Sequence, residues 1–425
     1  MMKKLRIIVG LALLNLRRSL RRTLLTASAL IVGGALLITS LSLGDGSHEK
    51  WIDSGVRIGT GHITIENPEF RTRRALDNRL PNEVRSLVQA AFSIRAISEH
   101  ISSVSVRLIV KGLISSAAGA RPTQIVGVDP TAEAEFSALD EQVVEGRYLV
   151  PDDRFVAYIG VGLAESLNLR LGSKFVATTQ DTNGEIVGQL LRVIGIFRSG
   201  VTEIDRTLIH IPILTADEWL ELSGDVTSIS ILVKNSDVVP VLVDRLSRGL
   251  SEPISDEIIT IMEWREAMPE LNDAIELDDF GNYVIHGILF VIIGFGIVNT
   301  VLMSVLHRRR EFGVLQAIGL TPGQTGILVL IEGLILTITS GTIGVVLGVL
   351  VTWYVWGDGL DLSGFVSNEF SFSGFVIDPV IFPLFRQVRL IQAFVFILII
   401  GGMASIYPAF RASKLDVAEA MKFER

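Results

Sequence analysis

The chain has 425 residues, of which 49% are hydrophobic and 20% are charged, and its formal net charge is −8. This acidic balance argues against a nucleic-acid partner, because binding to phosphate backbones depends on clustered Lys and Arg. The sequence contains no cysteine, which excludes disulfides and a thiol nucleophile.

The first 22 residues are basic and amphipathic. They hold seven Lys or Arg and no acid, and Leu5, Ile8, Leu13 and Leu16 fall on one helical face. This pattern predicts a cytoplasmic, interfacial amphipathic helix over 1–22. The plain basic flank of a membrane span is the alternative.

Four apolar runs are long enough to cross a bilayer. Residues 24–43 carry no charge, and at about 1.5 Å per residue such a helix covers a hydrocarbon core of roughly 30 Å. Buried helices of a soluble protein and, for the first run, a signal peptide are the alternatives; the uninterrupted length argues against both. The predicted spans are 23–44, 281–306, 326–356 and 390–408, and the basic ends of the chain orient both termini toward the cytoplasm.

The region 45–280, between the first and second predicted spans, is expected to lie outside the cytoplasm. It holds 22 basic and 37 acidic residues, a net charge of −15, and its patterns alternate between strand and helix. Strand-like runs are 61–65, 104–110, 123–128, 174–179, 190–197, 207–211, 228–233 and 258–262, and helix-like runs are 82–91, 162–168, 216–222 and 238–250. The predicted fold class is an α-helical membrane protein with four transmembrane helices plus a large mixed α/β domain inserted between the first and second spans.

A last helical pattern in this region, over 269–279, leads directly into the second span. A continuous helix here would join the outer domain rigidly to the membrane.

Residues with catalytic or ligand-binding chemistry do not form a recognisable site. The six histidines have no metal-ligand spacing, and Gly172-Ser173-Lys174 lacks the rest of a phosphate-binding loop. The acid pairs Asp152-Asp153 and Asp278-Asp279 are typical of solvated surface. We therefore expect no metal site, no catalytic residue and no ATP hydrolysis by this chain alone.

The loop 307–325 between the second and third spans is short and basic. Phe312, Leu315 and Ile318 recur every three residues, which favours a one-sided helix along the membrane surface, and Gly319 and Pro322 end it.

The third span carries one acid, Glu332, whose charge is costly in a membrane unless it is paired. Pairing with Arg308 or Arg309 is favoured over ion coupling. Gly344 and Gly348 form a small-residue pair suited to close helix packing, although ordinary glycine usage in membrane helices explains them equally well.

A second external loop is predicted over 357–389, and a cytoplasmic tail over 409–425. The loop holds six phenylalanines, which favour either packing against the outer domain or contact with acyl chains.

Two cytoplasmic motifs and one external motif carry a family resemblance. The string Arg309-Arg-Glu-Phe-Gly-Val-Leu-Gln-Ala-Ile-Gly319 and the ending Tyr407-Pro-Ala-Phe-Arg-Ala-Ser-Lys-Leu-Asp-Val-Ala-Glu-Ala-Met-Lys-Phe-Glu424 resemble the FtsX-like (MacB/LolC/LolE-type) ABC transporter permeases. In the external region, Leu163-Ala-Glu-Ser-Leu-Asn-Leu-Arg-Leu-Gly172, Val193-Ile-Gly-Ile-Phe197 and Asp205 resemble the periplasmic core of that family.

The resemblance implies a permease of the bacterial inner membrane with a periplasmic domain after its first span. It implies pairing with a second permease copy or a homologous permease, and recruitment of a separate ABC-type ATPase that carries the ATP and Mg, with no cofactor on this chain. Residues 308–320 would be the coupling helix, and 411–424 would add contact. The implied ATPase-coupling residues are Arg308, Arg309, Arg310, Glu311, Phe312, Leu315 and Gly319.

Three functions remain open at this point. The first is extraction of lipoproteins or other amphiphiles from the membrane, with a periplasmic chaperone and membrane lipids as partners. The second is MacB-like efflux of periplasmic peptides or drugs through an adaptor, and the third is FtsX-like regulation of a cell-wall hydrolase without transport. Ion-coupled secondary transport is disfavoured by four spans with one buried acid.

Overall fold

The computed structural model describes residues 2–18, 20–361, 371–372, 375–376 and 380–415, with side chains for 9–16, 18, 23–361 and 380–415. The chain divides into two compact units. The helical unit comprises Met1–Glu49, Glu276–Gly364 and Pro379–Arg425, and the sheet unit comprises Lys50–Ile275 and Phe365–Asp378.

The helices fall into a long class and a short class. In chain order they are α1 Met2–Arg18, α2 Leu20–Ile58, α3 Asn82–Phe92, α4 Arg95–Ser98, α5 Pro130–Ser137, α6 Val161–Ser166, α7 Thr202–Thr207, α8 Ile213–Leu220, α9 Val239–Gly249, α10 Ser251–Ser255, α11 Trp264–Ala267, α12 Pro269–His307, α13 Arg309–Ala317, α14 Pro322–Trp356 and α15 Gln387–Ser413. Short 3-10 helices lie at Leu76–Asn78, Leu139–Gln142 and Ser236–Val238.

The strands are concentrated in the sheet unit. In chain order they are β1 Ile63–Glu66, β2 Ile101–Ser116, β3 Gly119–Val128, β4 Val143–Gly146, β5 Val156–Gly160, β6 Lys174–Gln180, β7 Ile186–Phe197, β8 Leu208–Pro212, β9 Ser228–Val233, β10 Thr260–Glu263, β11 Leu360–Asp361, β12 Ser371–Phe372, β13 Phe375–Val376 and β14 Val380–Ile381.

Among the described residues, four helices are long and apolar enough to cross a membrane: α2, α12, α14 and α15. Two of them extend well beyond the predicted spans. The first, α2, has 39 residues and continues to Ile58, and α12, also of 39 residues, already begins at Pro269. The expectation that the helix over 269–279 runs into the second span is confirmed.

Glycine permits close helix packing inside the helical unit. A β-carbon at Gly348 would lie 2.8 Å from Cβ of Ile38, and one at Gly344 would lie 3.0 Å from the carbonyl oxygen of Ile31. The first distance is shorter than real Cβ contacts and the second is very tight, so the missing Cβ atoms at these positions let α14 approach the backbone of α2 closely.

The sheet unit is built on one mixed sheet. Its described strands number ten and follow the order β10-β1-β9-β2-β3-β8-β5-β7-β4, with β6 pairing with both β2 and β7. The pairs β3–β8 and β5–β7 are parallel and the remaining pairs are antiparallel. The short pairs β11–β14 and β12–β13 occupy the second loop, and residues 362–370, 373–374 and 377–379, with phenylalanines 365 and 370, lie outside the described residues.

All eight strands and all four helices predicted for the region 45–280 are present, most of them with shifted ends. The strands β4 and β5 and the short helices α4, α5, α7, α10 and α11 are additional elements that the sequence patterns did not predict.

A buried ion pair holds the end of α2 in the sheet unit. Glu133 on α5 receives two hydrogen bonds from the guanidinium of Arg107 on β2, at 2.6 and 2.9 Å, and both side chains are nearly inaccessible to solvent. The same guanidinium donates to the carbonyl oxygens of Arg57 and Gly59 at the end of α2. Arg107 therefore satisfies carbonyl groups that the helix end leaves without helical partners.

Two pKa values reflect this environment. Burial alone would raise the pKa of Glu133, but the charge of Arg107 lowers it below its ordinary value of 4.5. Burial lowers the pKa of the neighbouring His210 to about 4, so this imidazole is neutral at pH 7.

Replacing Glu133 with Ala should destabilise the sheet unit by about 3–5 kcal/mol, because Arg107 would be left as an uncompensated buried charge. Hydrogen exchange of β2 and of the end of α2 in the purified full chain measures this free energy. The matched control is Glu135→Ala, an exposed position on the same helix. Equal protection in the two variants would contradict the assigned role.

The contribution of Glu133 to the stability of the sheet unit should decrease as the pH is lowered. Because its folded pKa is lowered, its stabilisation is fully present above about pH 4.5 and is lost as the pH falls through the folded value. The difference between the Glu133→Ala and Glu135→Ala variants should therefore shrink on acidification.

Candidate functional site

The helix α13 is delimited by strong local signals. Gly319 adopts φ +113°, the left-handed region that favours glycine. Its N–H donates to the carbonyl of Gln316 at 3.0 Å, and the N–H of Leu320 donates to the carbonyl of Leu315 at 3.0 Å. This is a Schellman motif, which ends the helix where the sequence predicts.

The next helix begins after two further residues. Thr321 caps α14 and forms a capping box with Gln324, and Pro322 occupies the first turn. The amide of Gln316 donates to Thr325 at 3.2 Å, which ties α13 to α14 by a side-chain contact as well as by the chain. A force on α13 therefore acts directly on the third span.

Arg308 precedes α13 and points into the helical unit. Its guanidinium lies 3.2 Å from Glu332, 2.9 Å from Glu311 and 5.0 Å from the centre of the Phe312 ring. Glu332 is 8% exposed. Its cationic partner is Arg308, one of the two arginines that the sequence analysis proposed. A paired carboxylate at this depth is consistent with a structural role.

Phe312 is 1% exposed and packs in a core cluster with Leu328, Val329 and Ala409. Leu315 is half-buried against the same cluster. The ring of Phe312 is already covered by the helices of this chain, and its contact with an ATPase stays a prediction. Arg308, with only 15% of its side chain exposed, likewise serves as an internal anchor.

The outward face of α13 carries a different set of residues. Arg309 and Arg310 are exposed, Val314 is 41% exposed and Ile318 is 78% exposed. Arg310, Val314 and Ile318 are spaced by four residues and so share one face. That spacing is readable in the sequence, and it would have identified Val314 and Ile318 as the apolar surface residues.

The remaining predicted contact region lies at the end of the chain. In α15, the guanidinium of Arg411 lies 5.9 Å from the centre of the Tyr407 ring. Residues 416–425 lie outside the described residues, and with them most of the tail expected to add contact. Within the described part of the chain, no group of three or more His, Asp or Glu could hold a metal ion.

Two protein families match the chain over most of its length. Residues 23–248 match the MacB-like periplasmic core domain, and residues 283–417 match the C-terminal domain of FtsX-like permeases. The chain belongs to the FtsX-like permeases with a MacB-like periplasmic core. It is an ABC transporter permease of the LolC and MacB type, and a multi-pass membrane protein.

Individual relatives are distant in sequence. The lipoprotein-releasing system transmembrane protein LolC of Neisseria meningitidis serogroup B is 24% identical over 74% of this chain and 76% of that protein. The macrolide export ATP-binding/permease protein MacB of Bdellovibrio bacteriovorus is 23% identical over 95% of this chain and 59% of that protein. The crystal structure of the periplasmic region of MacB from Actinobacillus actinomycetemcomitans matches with a TM-score of 0.34 and 19% identity, covering 50% of this chain and 94% of that one.

Replacing Ile318 with Asp should weaken recovery of a co-expressed ATPase in a pull-down by about ten-fold, since a charge would replace the most exposed apolar group on the α13 face. The control is Ile186→Asp, which is 77% exposed on β7 and so matches Ile318 in exposure. Undiminished ATPase recovery with Ile318→Asp would show that the partner binds elsewhere.

Proposed function

We propose that this permease converts ATP hydrolysis on a separate subunit into motion of its sheet unit, and that α13 is the element on which the ATPase docks. The observation that carries the proposal is the outward face of α13, where Arg309 and Arg310 flank the apolar Val314 and Ile318. Guanidinium groups beside apolar side chains suit a protein interface. ATP and Mg then belong to the partner, and this chain is not an enzyme.

A separate ATPase is supported by the names of the relatives and by the motifs of the chain. The MacB relative is named as an ATP-binding/permease protein, and this chain covers 59% of it. The LolC relative is named only as a transmembrane protein, and this chain covers 76% of it. The sequence has no Gly-x-x-x-x-Gly-Lys-Ser/Thr loop for nucleotide phosphates.

The transmission of motion to the sheet unit is supported by α2 and α12, because each of these helices continues along the chain from one unit into the other. The boundary between Glu49 and Lys50 falls within α2, and the boundary between Ile275 and Glu276 falls within α12. An uninterrupted helix transmits rotation better than a loop. In this scheme α13 moves the membrane helices, and α2 and α12 carry that movement to the sheet unit.

The proposed substrate is an amphiphile of the membrane, of the lipoprotein type. An apolar groove of about 610 Å³ runs between α2 and α12 inside the helical unit, and its lining is aliphatic apart from two threonines and two glycines. Such a surface suits acyl chains. The protein would act in the bacterial inner membrane with both termini in the cytoplasm, beside a second permease copy or a homologous permease, and would deliver its cargo to a periplasmic chaperone.

Replacing Arg309, Arg310 and Glu311 together with Ala should abolish transport-coupled ATP hydrolysis while membrane insertion is retained. The reason is that the polar part of the proposed docking face is lost, whereas the buried anchor Phe312 is kept. The measurement is substrate-stimulated ATPase activity of the co-purified complex in nanodiscs. A triple variant with normal stimulation would refute the docking role.

Filling the groove should block release of an acylated lipoprotein. Leu36→Trp, inside the groove and 55% exposed, should lower ATP-dependent release from proteoliposomes at least five-fold. The control Val346→Trp, 52% exposed on α14 and outside the groove, should release normally. If both variants release the lipoprotein normally but the first loses export of a soluble peptide, MacB-like efflux replaces lipoprotein release as the function.

A further inference from the structure

The sheet unit contains a cavity of about 290 Å³ that the proposed function does not use. Its floor is one face of the sheet, with residues from β1, β9, β2, β3 and β8. Its walls come from the last turns of α2, from α7 and from residues 267–270 around the start of α12. Every lining residue belongs to the sheet unit.

Part of the floor belongs to a buried polar patch that extends across β1, β9 and β2 in two rows, and Glu66, Arg107, Ser228 and Ser230 of this patch line the cavity. In each row the residue from β9 is the register partner of the residue from β1 on one side and of the residue from β2 on the other. The rows are Thr64, Ser230, Ser105 and Glu66, Ser228, Arg107, and none of these residues is more than 4% exposed. The opposite face of β1 and β9 is apolar and belongs to a hydrophobic core. Strand alternation therefore separates an ordinary core face from a face that is buried but polar.

Most of this patch is satisfied by internal partners. Arg107 binds Glu133, Glu66 lies 2.7 Å from Arg71, and Thr64 donates to the carbonyl of Thr60. The hydroxyl groups of Ser230 and Thr60 have no hydrogen-bond partner among the described residues. Ser230 is 1% exposed and lines the cavity. Buried hydroxyl groups are nearly always paired, so these two have free capacity for a ligand.

The rest of the lining defines the character of the ligand. Trp51, Ile58, Phe70 and Met268 contribute apolar surface. The cations of the lining are balanced by carboxylates, since Arg107 and Arg71 are paired and His210 is neutral at pH 7. The exposed Arg74 and Glu270 line the opening of the cavity. Their opposite charges balance each other.

We infer that this cavity binds a small, neutral, amphipathic molecule whose hydroxyl, carbonyl or amide group hydrogen-bonds Ser230 and Thr60 while its apolar body packs on Trp51 and Met268. The volume lies near the lower end of the roughly 300–1,000 Å³ of small-molecule sites. Because the walls include the end of α2 and the start of α12, a bound molecule would contact both helices that continue from the sheet unit into the helical unit. This inference is independent of the docking role of α13.

The test uses the full chain in lipid nanodiscs and the neutral fluorophore N-phenyl-1-naphthylamine, which has one N–H and an apolar body. Saturable binding above the signal of empty nanodiscs is expected for the unmodified chain. Ser230→Phe should weaken it at least ten-fold by filling the cavity. Asn183→Phe, at an exposed turn between β6 and β7, adds the same ring elsewhere and should leave binding unchanged. Equal binding by all three proteins would overturn the inference.

A second variant keeps the test valid if Ser230→Phe does not fold. The sequence has no cysteine, so Ser230→Cys introduces a single thiol. Its reaction with methyl methanethiosulfonate, followed by intact mass, should slow at least five-fold when the fluorophore is present. An unchanged rate would show that the fluorophore does not enter the cavity and would refute the site.

Discussion

A charge buried in a protein must be paired, and the pair formed by Arg107 and Glu133 determines how the sheet unit receives its first helix. The last carbonyl groups of α2 need donors, and the sheet supplies them through Arg107. That guanidinium is tolerated in the interior only because Glu133 neutralises it. Arg107 therefore links the end of α2, the sheet and α5, and it also lines the cavity of the sheet unit.

The pair of Arg308 and Glu332 applies the same constraint in the helical unit. Here the acid lies within a span and the cation precedes α13. The aromatic ring of Phe312 covers the other side of the guanidinium. The start of α13 is thus fixed by charge and burial, and its end by the glycine and threonine motifs, which leaves only the outer face of the helix available to a partner.

The secondary structure of the sheet unit was predictable where local patterns were strong. Alternation identified strands such as 228–233, and continuous apolar runs identified the four long helices. The strand β5 was missed because Val156–Gly160 is a short, almost wholly buried run with no alternation. The helix α5 has a local start signal in the cap Asp129 and in Pro130, but its eight residues are too few to show a helical apolar stripe.

The exposure of the apolar residues of α13 follows from helix geometry. A step of three residues turns a helix by about 300°, so Phe312, Leu315 and Ile318 drift by about 60° at each step. The stripe begins in the core and ends in solvent. The series Arg310, Val314 and Ile318 drifts by about 40° at each step and stays on the exposed side. Arg309 and Arg310 are exposed, whereas the neighbouring Arg308 is largely buried and pairs with Glu332.

The length of α12 also determines how far one of its ends moves when the helix tilts. Its 39 residues include no proline after the first position, so the helix is a rod of about 58 Å at about 1.5 Å per residue. Tilting such a rod by about 5° about one end displaces the other by about 5 Å, as much as one helical turn. A small tilt at one end would thus displace the far end enough to open or close a contact between side chains.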